Sequence, residues 1–166
     1  MPTTISGTSI TTASIDLTAP LSVADGGTGA LVAFSATGTA TTALPAGGWT
    51  KCLYATEEFD TNNNYDTSTS RFTPTVAGYY QVSTTQMIQS VSIGVLVGLY
   101  KNGTLFKQSG NGIGTTNILG TASLSTLIYM NGSTDYVESW VFAGGATTLS
   151  GASAAQYFQA ILVRAA

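Results

Sequence analysis

Histidine is absent from this 166-residue chain, and cysteine occurs once. Without imidazole, the commonest general base and the commonest metal ligand are both missing. One thiol closes no internal disulfide and builds no thiolate metal cluster. Charge is scarce too: five Lys and Arg against eight Asp and Glu make 8% of the chain, with a net charge of −3. Ordinary soluble domains carry about 25%. There is no basic footprint for nucleic acid or an anionic membrane surface. No apolar run approaches the ~20 residues that span a bilayer. The longest, around Val91 to Tyr100, is broken by Ser92, Gly94 and Gly98. Met1-Pro2-Thr3-Thr4-Ile5-Ser6-Gly7 lacks the basic and apolar regions of a secretory signal, so cytoplasmic synthesis without general secretory export is expected. These absences argue against an enzyme, a cofactor, a nucleic-acid partner and membrane insertion.

What the chain has instead is Thr, Ser, Asn, Gln and 19 glycines. Its length suits one domain. Residues 1–30 stand apart, with no aromatic residue and thinly spread aliphatics at Ile5, Ile10, Ile15, Leu21 and Val23. Alone, such a segment buries too little apolar surface to offset its ordering entropy. One reading is a flexible tail. The other starts from the five-residue spacing of Ile5, Ile10 and Ile15, which three copies wound about a common axis could bury together.

From about Leu31 the chain reads as strands. Val91, Ile93, Val95, Val97 and Leu99 alternate with Ser92, Gly94, Leu96 and Gly98, the period of a half-buried strand. Asn102-Gly103 follows as a hairpin turn. Ala122, Leu124, Thr126, Ile128 and Met130 alternate with Thr121, Ser123, Ser125, Leu127 and Tyr129, and Asn131-Gly132 closes that strand. Tyr136, Glu138, Trp140 and Phe142 share one side of the next, and Tyr157 to Val163 reads as a buried terminal strand. No window carries a helical stripe, and abundant Gly and Thr disfavour helices. Many short strands between turn residues predict an all-β sandwich or barrel.

Few residues suggest chemistry. Asp60-Thr-Asn62-Asn-Asn64-Tyr-Asp66 resembles the start of a calcium loop, but Tyr65 and Arg71 stand where an EF-hand needs Gly and a bidentate Glu. It reads as a turn-rich loop. Glu57, Glu58 and Asp60 could serve glycoside hydrolysis only at a suitable separation, and beside an Asn-rich loop they read as solvated surface. Gly110-Asn-Gly112-Ile-Gly114 lacks the setting of a phosphate-binding loop. Cys52, without a His partner, reads as an inert buried thiol. Trp49, Tyr79, Tyr80, Trp140, Tyr157 and Phe158 suit a core or a subunit interface, with sugar stacking as the competing reading.

The stretch Tyr65-Asp66-Thr-Ser-Thr-Ser-Arg71-Phe72-Thr-Pro74-Thr-Val76-Ala-Gly78-Tyr79-Tyr80 resembles the signature region of complement C1q-like domains, a branch of the C1q/TNF jelly rolls. Lys101-Asn102-Gly103, the strand around Leu119 to Met130, Val137-Glu138-Ser139-Trp140 and the closing Tyr157-Phe-Gln-Ala-Ile-Leu-Val163 follow in the family's order. The resemblance covers about Leu31 to Val163. It implies a jelly-roll β-sandwich assembled as a homotrimer. Phe72, Gly78, Tyr80, Phe158 and Val163 fall on its core and trimer signature. Ala160 departs from the family's Gly, and no collagen-like stalk precedes the domain.

Val23-Ala-Asp25-Gly26-Gly27-Thr28-Gly29-Ala30 resembles a Gly-Gly-Thr-Gly-Ala element of bacteriophage tail-fibre and related virion proteins. The two resemblances imply a non-enzymatic phage virion protein on the particle surface, a trimeric short fibre. Its extended segment 1–30, with Ile5, Ile10, Ile15, Gly26, Gly27 and Gly29, is expected to attach to other virion structural proteins. Its jelly roll, 31–166, is expected to be exposed for binding a host-surface glycan or protein. The loops Asp60 to Ser70, Ser109 to Thr116 and Ala143 to Gly151 are the expected contacts. The competing reading is a capsid or tail decoration protein that cements its neighbours without binding a receptor.

Overall fold

The computed structural model describes residues 32–38, 40–91, 94–111 and 118–166, without the side chains of 90, 91, 111, 118 and 119. The expectations for residues 1–30 and for Gly112 to Thr116 lie outside the described residues. The remainder is all-β, in two antiparallel sheets that face each other across one core. Thirteen strands run in chain order: β1 Ala33–Thr37, β2 Ala43–Leu44, β3 Gly48–Lys51, β4 Thr56–Asp60, β5 Tyr65–Asp66, β6 Arg71–Phe72, β7 Ala77–Val91, β8 Val95–Lys101, β9 Thr104–Asn111, β10 Ile118–Asn131, β11 Val137–Ala143, β12 Thr147–Leu149 and β13 Tyr157–Ala165. Ser153–Ala155 forms a single 3-10 turn.

The seven-stranded sheet runs β2-β12-β7-β13-β1-β4, with β10 along the other side of β7. The six-stranded sheet runs β5-β6-β11-β8-β9, with β3 also on β11. The expected alternation over 95–99 holds: Val95, Val97 and Leu99 are buried, and Leu96 and Gly98 lie on the opposite face. The expected single strand from Val91 does not. Val91 ends β7, paired with Ile118, and β8 opens only at Val95, because each stretch belongs to a different sheet. Asn102 and Gly103 both take positive φ, 52° and 78°, as a two-residue hairpin turn requires.

The core is aromatic at one end and polar at its middle. Phe34 stacks on Tyr65 at 4.7 Å and on Phe72 at 4.5 Å, and Phe158 meets it edge-on at 5.0 Å. Tyr80 closes the group edge-on to Phe72 and donates its hydroxyl to the Val76 carbonyl oxygen at 2.8 Å. Each such ring contributes roughly 1.5–3 kcal/mol through burial. Tyr54, between β3 and β4, bridges the sheets. Its hydroxyl lies 2.8 Å from Thr84 Oγ1 on β7 and donates to Ser139 Oγ on β11 at 2.9 Å, and Gln86 Nε2 donates to it. Burial pushes the Tyr54 hydroxyl well above its ordinary range. Buried Cys52 sits beside this chain. Burial outweighs bonds from Ser139 and Tyr54 and pushes its thiol up to about 12, so it stays protonated and inert at neutral pH.

Candidate interaction surface

The centre of the outer face of the seven-stranded sheet is uncharged, and Glu58 against Ser35, Arg164 opposite Tyr79 and Lys101 over the Tyr129 ring stand at its margins. Along β7, Tyr79, Gln81, Ser83 and Thr85 point outward, and each has a cross-strand partner on either side. Tyr79 stands between Tyr129 and Arg164, Gln81 between Leu127 and Ile161, Ser83 between Ser125 and Gln159, and Thr85 between Ser123 and Tyr157. The polar rows satisfy themselves. Gln81 Nε2 donates to Ser125 Oγ at 2.6 Å, Ser83 and Ser125 hydroxyls lie 2.7 Å apart, and those of Thr85 and Ser123 2.9 Å apart.

The apolar members remain open. Phe59, Tyr79, Leu127, Tyr129, Ile161 and Val163 are between 43% and 59% exposed. Tyr79 and Tyr129 contact each other at 5.4 Å between ring centroids. Between β4 and β7 the face dips into an apolar hollow of about 200 Å³, bordered by Ala33, Phe59, Gln81, Ser83, Gln159 and Ile161. Large apolar side chains gathered on one face around an uncharged centre mark an interaction surface rather than scattered surface residues.

Phe72, Tyr80 and Phe158 lie in the protomer core, and Gly78 is buried where a Cβ would run into the Arg164 carbonyl oxygen. Val163 is a correction to the core expectation. A register shift between Leu162 and Arg164 bulges β13 there, and Val163 emerges on the surface beside Tyr79. The terminal strand is accordingly half-buried, with Phe158 and Ala160 inward and Ile161 outward.

The loop expectations divide. Within Asp60 to Ser70, residues 61–63 and 66–68 are exposed, whereas Asn64, Tyr65 and Ser70 are buried, and the segment is held from within. Asp60 accepts the backbone N–H groups of Asn62 at 3.1 Å and Tyr65 at 2.6 Å. Asp66 accepts from Ser68 and Thr69, which hold its carboxyl down at about 2. A polar hollow of about 480 Å³ adjoins this loop, bordered by Glu57, Asn63, Asp66, Thr67 and Thr73. Ser109 and Gly110 are exposed near the end of the edge strand β9. Ala143 to Gly151 corrects the expectation of a free loop. Thr147–Leu149 is strand β12, paired with β2 and β7, and Leu149 and Ser150 are buried. Its Thr/Leu content was compatible with a strand, but three residues are too few to show a period.

Glu58 accepts a hydrogen bond from Ser35 Oγ at 2.6 Å, and both Asp60 oxygens are engaged in holding the loop. Among the described residues, no group of three or more His, Cys, Asp or Glu could hold a metal ion. The sequence reading passed over Phe34, Phe59 and Ile161. The alternation of Val32, Phe34 and Ala36 was a signal for the first. The hollow between β4 and β7 had none, because strands far apart in sequence form it.

No protein-family model and no curated protein matches the chain. Solved structures do match its fold. Eiger TNF from S. frugiperda matches at a TM-score of 0.65 and 8% identity, over 82% of this chain and 94% of that one. The globular domain of zebrafish complement 1qA protein matches at 0.65 and 16% identity, over 81% and 99%. Murine APRIL matches at 0.65 and 7% identity, over 80% and 99%. At such identities the likeness concerns the fold alone, and the chain has the jelly-roll fold of C1q/TNF-like domains.

Proposed function

We propose that this chain is a non-enzymatic structural protein that assembles as a homotrimer through the outer face of its seven-stranded sheet and serves as a short fibre on a phage virion. The observation that carries the assembly is that face: six large apolar side chains left open around an uncharged, self-satisfied Ser/Thr/Gln ladder. Removing them from water would supply roughly 25 cal/mol per Å² of apolar surface, and the hydrogen-bonded ladder at the centre carries no charge to bury. Three copies is the number that the C1q-like resemblance implies. The virion assignment is supported by the Gly26-Gly27-Thr28-Gly29-Ala30 resemblance, and segment 1–30 would attach the trimer to other particle proteins. With one face spent on assembly, the six-stranded sheet and the loops at the ends of the sandwich are free for a host surface, where threefold display multiplies weak contacts.

Light scattering on the full chain tests the assembly, with a mass of three protomers expected. Tyr129→Arg or Ile161→Lys should lower it to one, and a wild-type monomer at micromolar concentration would sink the reading. Adhesion to bacterial cells separates receptor binding from cementing. A trimer that coats no cell but binds purified particles would favour the decoration role.

A further inference from the structure

The six-stranded sheet also turns a face to solvent, and rings build it. Tyr136, just before β11, and Glu138, Trp140 and Phe142 on it alternate with buried Val137, Ser139 and Val141, and only the Glu138 side chain of the four is buried. Trp140 packs on Tyr100 of β8 with centroids 4.8 Å apart and planes 31° from parallel. Tyr100 meets Trp49 of β3 edge-on at 5.7 Å, and Trp49 continues to Phe142 at 5.7 Å. Gly98 lies beneath, where a Cβ would stand 2.8 Å from Trp49 Cζ3, so the missing side chain lets the indole approach the sheet. All four rings are half-buried, and the chain's two tryptophans both belong to this face.

A charged cluster borders the rings. Glu138 Oε1 accepts from Lys51 Nζ and from Arg71 Nε, each at 2.6 Å, and its Oε2 accepts from Trp140 Nε1 at 3.1 Å. The carboxylate is 3% exposed, whereas Lys51 and Arg71 are 23% and 42% exposed. Arg71 lies over the Tyr136 ring, 4.2 Å from its centroid, and engages Glu138 through Nε alone. Asp66, the register partner of Arg71, is taken up by Ser68 and Thr69. The carboxylates of Glu138 and Asp66 therefore each accept several donors, while the Lys51 and Arg71 side chains stay partly open to solvent. Such a face complements a ligand with an apolar ring plane and an anionic acceptor: the first for stacking, the second for charge-assisted bonds to Arg and Lys.

We propose that this face binds carboxylate-bearing glycans, with a uronic or sialic acid ring stacked on Trp49 and Trp140 and its carboxylate on Arg71 and Lys51. The proposal rests on the host-surface reading above, and it places the contact on a flat sheet face rather than on the loops.

Intrinsic tryptophan emission reports this face, since both indoles lie on it. The full chain should be titrated with a panel of uronic- and sialic-acid oligosaccharides and with their methyl esters, which keep the rings and remove the charge. Saturable quenching by at least one acidic sugar is expected, with at least tenfold weaker binding of its ester. Arg71→Gln and Lys51→Gln should each weaken the acidic sugar at least fivefold at unchanged oligomeric mass, measured well below the melting temperature that each lowers by giving up its bond to buried Glu138. If one variant unfolds, the other and the ester comparison still decide. Silence across the panel, equal response to acids and esters, or calorimetric binding that leaves the tryptophans unaffected would overturn the proposal. So would emission that shifts only with protein concentration, the sign that a second copy covers the face. Cell adhesion with silent tryptophans would refute this site and leave the host-surface reading standing. Sugar binding without adhesion to any cell would count against that reading alone.

Discussion

The two outward faces of the sandwich use the same local rule and reach opposite states. On the six-stranded sheet, the outward rings of Trp49, Tyr100, Trp140 and Phe142 lean on one another and shield the strands beneath. On the seven-stranded sheet, Leu127 and Ile161 stand apart on either side of Gln81, Tyr129 touches only Tyr79 among the rings, and each is more than four-tenths exposed. On the first face the rings cover the strands beneath while staying half-exposed themselves, and the face carries the buried carboxylate of Glu138. The second holds its carboxylate, Glu58, at the margin against Ser35, and its apolar side chains are left open within the protomer. Outward aromatic residues therefore say little until their neighbours are known. Rings that touch stabilise the protomer, and rings spread over small polar residues leave surface for another molecule to cover.

Substitutions can break this contrast, and the largest effect is expected on the open face. Tyr129→Arg with Ile161→Lys should shift assembly by at least a hundredfold in protein concentration, read by light scattering across a dilution series, while the protomer's far-ultraviolet dichroism stays that of a β protein. Next comes the closed face. Trp49→Ala uncovers Gly98 and removes two ring contacts, and it should cost about 2–4 kcal/mol in denaturant unfolding. Tyr129→Ala, measured at dilutions where only protomers exist, should cost less than about 1 kcal/mol. Equal costs would erase the distinction between the two faces.

A smaller effect should come from Glu138. Burial raises its carboxyl, but the bonds from Lys51, Arg71 and Trp140 outweigh burial and hold it below its ordinary value of 4.5. A carboxyl lowered in the folded state contributes stability that is complete above its unfolded pKa and is lost as pH falls through the folded one. Wild-type stability should therefore decline as pH drops below about 4.5. Glu138→Gln should flatten part of that decline while costing about 1–2 kcal/mol at pH 7. A parallel pH profile for the two proteins would dismiss the assignment. The smallest expected change is Ser125→Ala, which removes one hydroxyl from the exposed ladder with Gln81 and Ser83. It should alter protomer unfolding by about 0.5 kcal/mol or less.

Much of the local structure could be read from residue order. The alternation of Val95, Val97 and Leu99 with Leu96 and Gly98 depends on a period of two along one strand, and the sheet only had to cover the apolar side. Asn102-Gly103 carried its own turn, since both positive φ values are accessible to that pair. Cys52 was legible as an inert thiol because the chain holds no base to activate it. Val163 was not legible. Its exposure depends on a bulge opposite Tyr79, which no pattern within Tyr157 to Val163 announces. Nor was the polar bridge of Tyr54, Thr84 and Ser139, whose members lie 30 and 85 residues apart along the chain.

The sequence by itself determined an all-β chain with little charge, no imidazole and strands whose inward and outward sides were set by alternation, because these are properties of composition and of neighbours along the backbone. Which outward face would be closed and which left open was decided only by the tertiary structure. Alternation sends a side chain out of the sheet, but the order β5-β6-β11-β8-β9, with β3 also on β11, is what brings Trp49, Tyr100 and Trp140 within ring contact. The order β12-β7-β13-β1-β4, with β10 beside β7, sets Leu127 and Ile161 on either side of Gln81. Contact between side chains distant in sequence depends on strand order, and strand order is a property of the whole fold.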